Sequence, residues 1–546
     1  MLGKRSIKIR LLCLLMAASL LTGCTGSQEA VQEEKEESPA FTEISIEDNY
    51  RTYYEVFVYS FYDGDGDGIG DFKGLMEKLD YINDGDPQTT TDLGCNGIWL
   101  MPIMSSPSYH KYDVTDYYEI DPEYGTMEDF EAFMAECDER GIKVILDLVI
   151  NHSSSEHPWF KEACGYLAEL GDGEPDLEEC PYVDFYQFSK EQKTGYSQVP
   201  GSDIWYYESQ FYYGMPDFNL YNEQLRQEIS DIVDFWLAKG VGGFRLDAAK
   251  EYVTGANEAN VEILTWFTDM VKEKRKDAYL VAEVWTDIST YAPYYDSGID
   301  SLFNFAFADS DGVIAKVVKG SSPASSYSKS LENIQEMFGG HNQDYIDAPF
   351  YTNHDMGRSA GYYAGDYSEA QTKMAGALNL LMTGSAFVYY GEELGMKGSG
   401  KDENKRAPMY FDDDKAAEGM CSGPADMDAV KMKYGSLKEQ QQDPCSIYNY
   451  YKAAISMRNA FPVISKGTVE NLEDYSDDTL AAFSKTYEQE QMYFFCNISP
   501  EPRTVQITEL SASGAEIAAG LYVDENTASL EENTLTIPGY GIAVVR

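Results

Sequence analysis

The sequence predicts an α/β fold: a closed (β/α)8 barrel of the TIM type, with a small domain inserted after its third strand and an all-β domain at its C-terminal end. Three observations predict it. Eight apolar runs rich in β-branched and aromatic residues recur between residues 55 and 395, with amphipathic helices between several of them. The alternation breaks over residues 153 to about 220, a stretch rich in Gly, Pro, Tyr and Trp and too long for a plain loop. From about residue 466 to the end, short alternating segments such as TLAAFSKTY, QMYFFCNI and GIAVVR replace the helical pattern.

The N-terminus opens on a basic stretch, MLGKRSIKIR, followed by the apolar run LLCLLMAASL and then LTGC, which ends at Cys24. The run is shorter than a membrane-spanning helix and has the flanks of a secretory leader. LTGC resembles a bacterial lipobox; this implies cleavage after residue 23 and lipidation of Cys24, rather than a conventional or uncleaved signal. Residues 24–49 are polar and acidic without hydrophobic periodicity, so they read as a solvated tether. The expectation is a lipid-anchored protein on the outer face of a bacterial cell membrane or at the cell surface.

Residues 50–465 form the predicted barrel. Its strand candidates are EVFVYSF (55–61), GIWLMP (97–102), KVILDLVIN (143–151), GGFRLDAAK (242–250), AYLVAEVW (278–285), SLFNFAF (301–307), APFYTNHD (348–355) and SAFVYYGEELG (385–395). In TMEDFEAFMAECDERG, Phe130, Phe133, Met134 and Cys137 recur at helical spacing, with Thr126 as N-cap and Gly141 as the stop. After Asn222 the logic repeats, with Leu225, Ile229, Ile232, Val233 and Trp236 on one face and Gly240 ending it. Residues 466–546 form the predicted C-terminal β-sandwich domain.

Composition bounds the partners. A net charge of −52 over 546 residues repels nucleic acid and anionic membrane surfaces, leaving a neutral or cationic macromolecular substrate and the lipid anchor as the expected membrane contact. A monomer is expected. Seven of the nine cysteines lie beyond Cys13 and Cys24, an odd number without metal-site spacing, so disulfides are not what holds the fold; Cys164 with Cys180 is a candidate loop clip.

The loop DGDGDGIGD, residues 63–71, carries carboxylates at alternating positions separated by glycines that let the backbone wrap. That pattern suits a hard cation taking six to eight oxygens, and Asp63, Asp65, Asp67, Asp71 and the Ile69 carbonyl form the candidate ligand set for Ca2+. An EF-hand would need Glu at its twelfth position, where Gly74 stands. A solvated acidic turn is the plainer reading, but four like charges this close repel without a cation.

Three further carboxylates, Asp247, Glu283 and Asp355, stand at the ends of strand candidates, where barrel enzymes keep their active sites. A nucleophilic carboxylate and a protonated acid on adjacent strand ends are what glycosidic cleavage with retention needs. Arg245, two residues before Asp247, shares its strand face and is placed to orient it. Glu283 lies among Val281, Ala282, Val284 and Trp285, an apolar frame that would raise its pKa. Singly, each carboxylate could be a buried ion pair or a helix cap; at successive strand ends they form a site.

These segments carry a resemblance. DLVINH, GFRLDAAK, EVW and TNHD, with MPDFN at 215–219, resemble the sequence regions of glycoside hydrolase family 13, the α-amylase family, over roughly residues 50 to 546. The resemblance implies that Asp247 is the nucleophile, Glu283 the general acid/base and Asp355 the transition-state stabiliser. It implies that His152 and His354 bind sugar hydroxyls in subsite −1, that Arg245 positions Asp247 and that Tyr112 stacks on the sugar. The 63–71 loop is similar to the calcium loop of the oligo-1,6-glucosidase and intermediary branches.

Within the family, Ala248 resembles α-1,4-acting members and Lys250 resembles a lysine on the reducing-end side, although Glu251 replaces the histidine that often follows; this departs from a shared calcium site using Asn151. Asp113 and Arg406 resemble a pair that closes the non-reducing end in exo-acting relatives. The expected activity is endo hydrolysis of α-1,4-glucosidic bonds in starch and maltooligosaccharides. The alternatives are an exo-acting α-glucosidase, oligo-1,6-glucosidase or cyclomaltodextrinase/neopullulanase and, from a different class, a non-catalytic starch-binding lipoprotein. For the last, 43 tyrosines and 6 tryptophans suit sugar stacking, but equally a packed barrel core.

Overall fold

The computed structural model describes residues 45–508 and 514–546. The leader, Cys24 and most of the tether lie outside the described residues. Seven parallel strands follow one another round the barrel: β1 Thr52–Val56, β2 Gly97–Leu100, β3 Lys143–Leu148, β4 Gly243–Leu246, β5 Tyr279–Ala282, β6 Ser301–Leu302 and β7 Ala386–Tyr389. Their order in the sheet is β6-β5-β4-β3-β2-β1-β7.

Residues 348–350 close the ring between β6 and β7 through single parallel bridges, Phe303 to Ala348 and Phe350 to Phe387. The sequence predicts a full strand here. Pro349 explains the difference: it has no N–H to donate, so the ladder cannot run through it. The carbonyls still serve, since the Asn304 amide donates to Ala348 and the Phe387 amide to Pro349, at 3.1 and 2.8 Å.

Other predicted strands also end early. The first passes into a 3-10 turn over Val58–Ser60, and the fourth stops at Leu246 because Ala248 adopts φ 47°. The helices match their sequence signals closely. In Met127–Glu139 the Thr126 hydroxyl accepts from the Asp129 amide while the Asp129 carboxylate accepts from the Thr126 amide, closing a capping box. In Glu223–Ala238 the Asn222 side chain accepts from the Leu225 amide at 2.8 Å, and Leu225, Ile229, Ile232, Val233 and Trp236 are buried.

The barrel is plugged rather than open. Tyr53, Trp99, Ile145, Tyr279, Val281, Phe303, Ala348, Phe350 and Phe387 fill its interior, with Tyr53 stacked between Tyr279 and Phe387 at centroid distances of 5.3 and 5.0 Å. Side chains alternate along a strand, so the residue two positions beyond each inward core residue also points inward, one layer higher. On β1 that residue is Glu55 after Tyr53. On β3 it is Asp147 after Ile145, and just past the end of β5 it is Glu283 after Val281. The charged layer of the site therefore rests directly on the hydrophobic plug.

Between β3 and β4 lie a helix, Pro158–Leu170, and a three-stranded antiparallel sheet of Phe188–Ser189, Tyr206–Glu208 and Tyr196–Gln198. Residues 468–545 carry a five-stranded and a three-stranded antiparallel sheet. Lys485, fully buried on the strand Leu480–Tyr487, donates to the carbonyls of Leu381 and Ile464 at 2.7 and 2.5 Å, pinning these sheets to the barrel. All seven described cysteines are free thiols, so Cys164 and Cys180 do not form the expected clip. Both are buried, which suits thiols acting as small apolar residues.

Candidate active site

Arg245 is the hub. It is fully buried and is the register partner of Asp147 on the neighbouring strand. Its Nη1 donates to both Asp147 oxygens, at 2.7 and 2.9 Å, and to Asp247 at 2.8 Å, while its Nη2 contacts Glu283. One guanidinium thus touches three carboxylates. Such partners offset the cost of burying the guanidinium charge. Aromatic faces complete its cage, with the Trp99 and Tyr112 rings 5.2 and 5.8 Å away.

The environment pushes the carboxylates apart in acidity. Burial raises Glu283 to about 7 against the pull of Arg245, with the charges of Asp247 and Asp355 adding to the rise. Asp147 is raised to about 6, again by burial opposed by Arg245. Burial acts the same way on Asp355, but the charge and hydrogen bond of His354, together with Arg406, outweigh it and hold Asp355 well below the usual carboxylate range. Glu283 thus holds a proton in the same pocket in which Asp355 is kept ionised, two carboxyl groups separated in acidity by their surroundings.

His354 is clamped from both sides. Its Nδ1 donates to Glu55 at 2.6 Å, and its Nε2 lies 3.2 Å from Asp355 and 2.7 Å from the Tyr112 hydroxyl. Burial lowers its pKa, yet Asp355 and Glu55 lift it to about 9. Tyr112 lies stacked on the His354 ring, 5.4 Å between centroids, and donates to Asp147 at 2.9 Å. Two residues beside the site are strained into positive φ, Lys111 before Tyr112 and Ala248 after Asp247. Such backbone persists where the surroundings over-determine it, as at functional sites.

The remaining predicted residues are placed as follows. His152 is buried on the segment that pairs with Asp217 of MPDFN, and its Nε2 has no hydrogen-bond partner among the described residues. Asn151 donates to Asp217 at 3.3 Å, and Lys250 pairs with Glu251 at 2.7 Å. Asp113 and Arg406 are not paired with each other. Asp113 accepts from the hydroxyls of Ser106, at 2.8 Å, and Ser108. Among the described residues the ion-pair partners of Arg406 are Asp355, at 3.1 Å, and Asp402. The Tyr109 hydroxyl in turn donates to Asp402 at 2.7 Å.

The acidic loop draws Asp63, Asp65 and Asp71 together, each with a carboxylate oxygen within 4.8 Å of the others. Asp67 stands outside this group; its carboxylate turns to the Ile69 amide at 2.8 Å. The Asp71 carboxylate also caps the helix Phe72–Glu77, accepting from the Gly74 amide at 2.7 Å. Gly66 and Gly68 take the left-handed φ values, 90° and 96°, that the wrap requires. A cluster of three carboxylates with oxygen-only donors fits calcium.

Several site residues escape the sequence reading. Asp147 and Glu55 are acids inside apolar runs, a signal that burial makes meaningful only once the inward face is known. Asp402 and Tyr109 lie on loops with no periodicity to flag them. Trp285, counted above in the apolar frame of Glu283, is instead half-exposed, its ring stacked on Phe305 at 5.4 Å.

Comparisons with known proteins converge on one group. The family model for the alpha-amylase catalytic domain matches residues 55–467. Alpha-amylase 3 of Dictyoglomus thermophilum is 35% identical over 503 residues, covering 90% of this chain and 92% of that protein. The solved structure of Eubacterium rectale Amy13B superposes with a TM-score of 0.89 at 50% identity, covering 92% of this chain and 97% of its own. That of an alpha-amylase from H. orenii gives 0.80 at 36% identity, covering 91% and 99%.

Proposed function

From the premise that this chain belongs to the α-amylase family of glycoside hydrolases, we propose that it cleaves α-1,4-glucosidic bonds of starch and maltodextrins within the chain, with retention. The observation that carries the reading is the single Arg245 guanidinium contacting both Asp247 and Glu283 at adjacent strand ends.

In this reading Glu283 donates its proton to the glycosidic oxygen as Asp247 attacks the anomeric carbon, releasing the reducing-end fragment and leaving a covalent glycosyl ester on Asp247. Glu283, now a carboxylate, takes a proton from water, which displaces Asp247 and restores both groups. Arg245 keeps Asp247 oriented throughout. Asp355, held ionised by His354 and Arg406, grips the distorted sugar and favours the oxocarbenium-like state. His152 and Tyr112 supply the hydrogen-bonding and apolar walls of subsite −1. Lys250 lies on the reducing-end side.

Endo action is supported by the partners of Arg406. It is engaged by Asp355 and Asp402 while Asp113 is held by serines, so the bridge that would close the non-reducing end is not formed. Calcium on Asp63, Asp65 and Asp71 would act structurally, fixing the loop that follows β1 to the helix after it. The LTGC motif at Cys24 supports anchoring at the cell surface, which places the enzyme where a polymer too large to enter the cell is met. The test is a maltooligosaccharide blocked at its non-reducing end. Cleavage is expected; hydrolysis confined to unblocked substrate would overturn the endo assignment.

A further inference from the structure

Three consecutive aromatics, Phe211, Tyr212 and Tyr213, are among the most exposed large apolar side chains of the described residues, at 54, 51 and 63%. Contiguous exposed aromatic surface marks a binding face more often than chance. Their position is specific. The Phe211 ring lies 5.5 Å from that of His152, and the Tyr212 and Tyr213 rings lie against each other with centroids 4.1 Å apart.

The segment is clamped rather than loose. The Gln210 amide donates to Asp217 at 3.0 Å on one side of the triplet, and the Ser155 amide to the Gly214 carbonyl at 2.8 Å on the other. Within it the Tyr207 hydroxyl donates to the Tyr213 carbonyl at 2.6 Å. Gly214 lets the Tyr212 ring lie over the backbone, since a Cβ there would come within 2.6 Å of that ring and displace it. The backbone that carries the rings is therefore fixed before any ligand arrives, which lowers the entropy cost of binding.

We infer that Phe211, Tyr212 and Tyr213 form a stacking platform for the glucose units that extend past subsite −1 on the non-reducing side, and so set the preference for long α-glucans. This rests on the endo reading above. The Phe211 ring beside His152 of subsite −1 assigns the platform to that side, whereas Trp285 flanks Glu283, which protonates the leaving, reducing-end fragment. Uncharged aromatic faces suit a neutral sugar, whose C–H faces stack on rings, in a protein of net charge −52.

The test is made on the full chain in an Asp247→Asn background, so that binding is read without turnover. The Kd for maltoheptaose should rise on the order of tenfold in the Tyr212→Ala/Tyr213→Ala variant. It should stay near the parent value in Tyr212→Phe/Tyr213→Phe, which keeps the rings. An unchanged Kd in the alanine variant, or an equal rise in the phenylalanine variant, overturns the platform. With Asp247 intact, end-labelled maltoheptaose should be cut nearer its non-reducing end once the tyrosines are alanine; a shift the other way places the rings on the leaving side and overturns the assignment. Failure to cleave a blocked chain would strike the endo reading alone, because the Kd comparison does not depend on it.

Discussion

Glu55 Oε1 accepts a 2.6 Å hydrogen bond from His354 Nδ1, with both side chains about 1% exposed at the floor of the site. This contact and that of Asp355 hold the proton on His354, whose pKa of about 9 lies above its ordinary 6.5. A raised folded-state pKa means the stabilisation is complete below about pH 6.5 and is lost as pH rises through about 9. Glu55→Gln should therefore cost ~1.5–3 kcal/mol near neutrality, the range for hydrogen bonds to charged groups. It should also move the alkaline loss of stability to lower pH. Urea unfolding across pH checks both; unchanged curves would remove Glu55 from the account.

Glu283 makes a separate pH prediction. Burial pushes it to about 7 from an ordinary 4.5, so the proton needed for leaving-group departure is lost as pH rises through about 7. Activity should fall along that limb. Glu283→Gln should reduce starch hydrolysis ~10²–10⁴-fold, the usual contribution of general acid catalysis. With an aryl glycoside whose leaving group needs no proton, formation of the glycosyl-enzyme should fall far less. Equal losses on both substrates would contradict the acid role.

Chelation should lower the melting temperature without altering the pH profile, because the hydrogen bonds of the loop's carboxylates stay within residues 63–74 and none reaches Asp247, Glu283 or Asp355. At a hundredfold excess of calcium over its Kd the stabilisation is ~2.7 kcal/mol. Asp65→Asn should weaken it and Asp67→Asn should not, since only Asp65 belongs to the cluster with Asp63 and Asp71. Calorimetric scans with and without the ion decide the matter, and equal sensitivity of the two variants would redraw the ligand set.

Much of the barrel is legible in the sequence because periodicity reports burial. Phe130, Phe133 and Cys137 face inward as their spacing requires, and Thr126 caps as its position suggests. The seventh predicted strand, residues 348–355, shrinks to two single bridges because Pro349 removes a ladder donor, a defect that pattern alone does not weigh. The motif residues Arg245, Asp247, Glu283, His354 and Asp355 do converge in space. Their supports are harder to see. Glu55 becomes meaningful only when β1 and the chain near residue 354 are neighbours, and Arg406 finds Asp355 and Asp402 rather than Asp113 because loop geometry, not spacing, sets its partners.

The central claim is that Asp247 forms the covalent bond, and chemical rescue tests it most directly. Asp247→Ala should lose ~10⁴-fold or more of the turnover on an aryl α-glucan substrate, as removal of a nucleophile does elsewhere. Azide, small enough to occupy the vacated space, should then restore turnover and yield a β-glycosyl azide by direct displacement. Near-normal activity of Asp247→Ala without azide, or an α-configured azide product from it, would contradict the assignment.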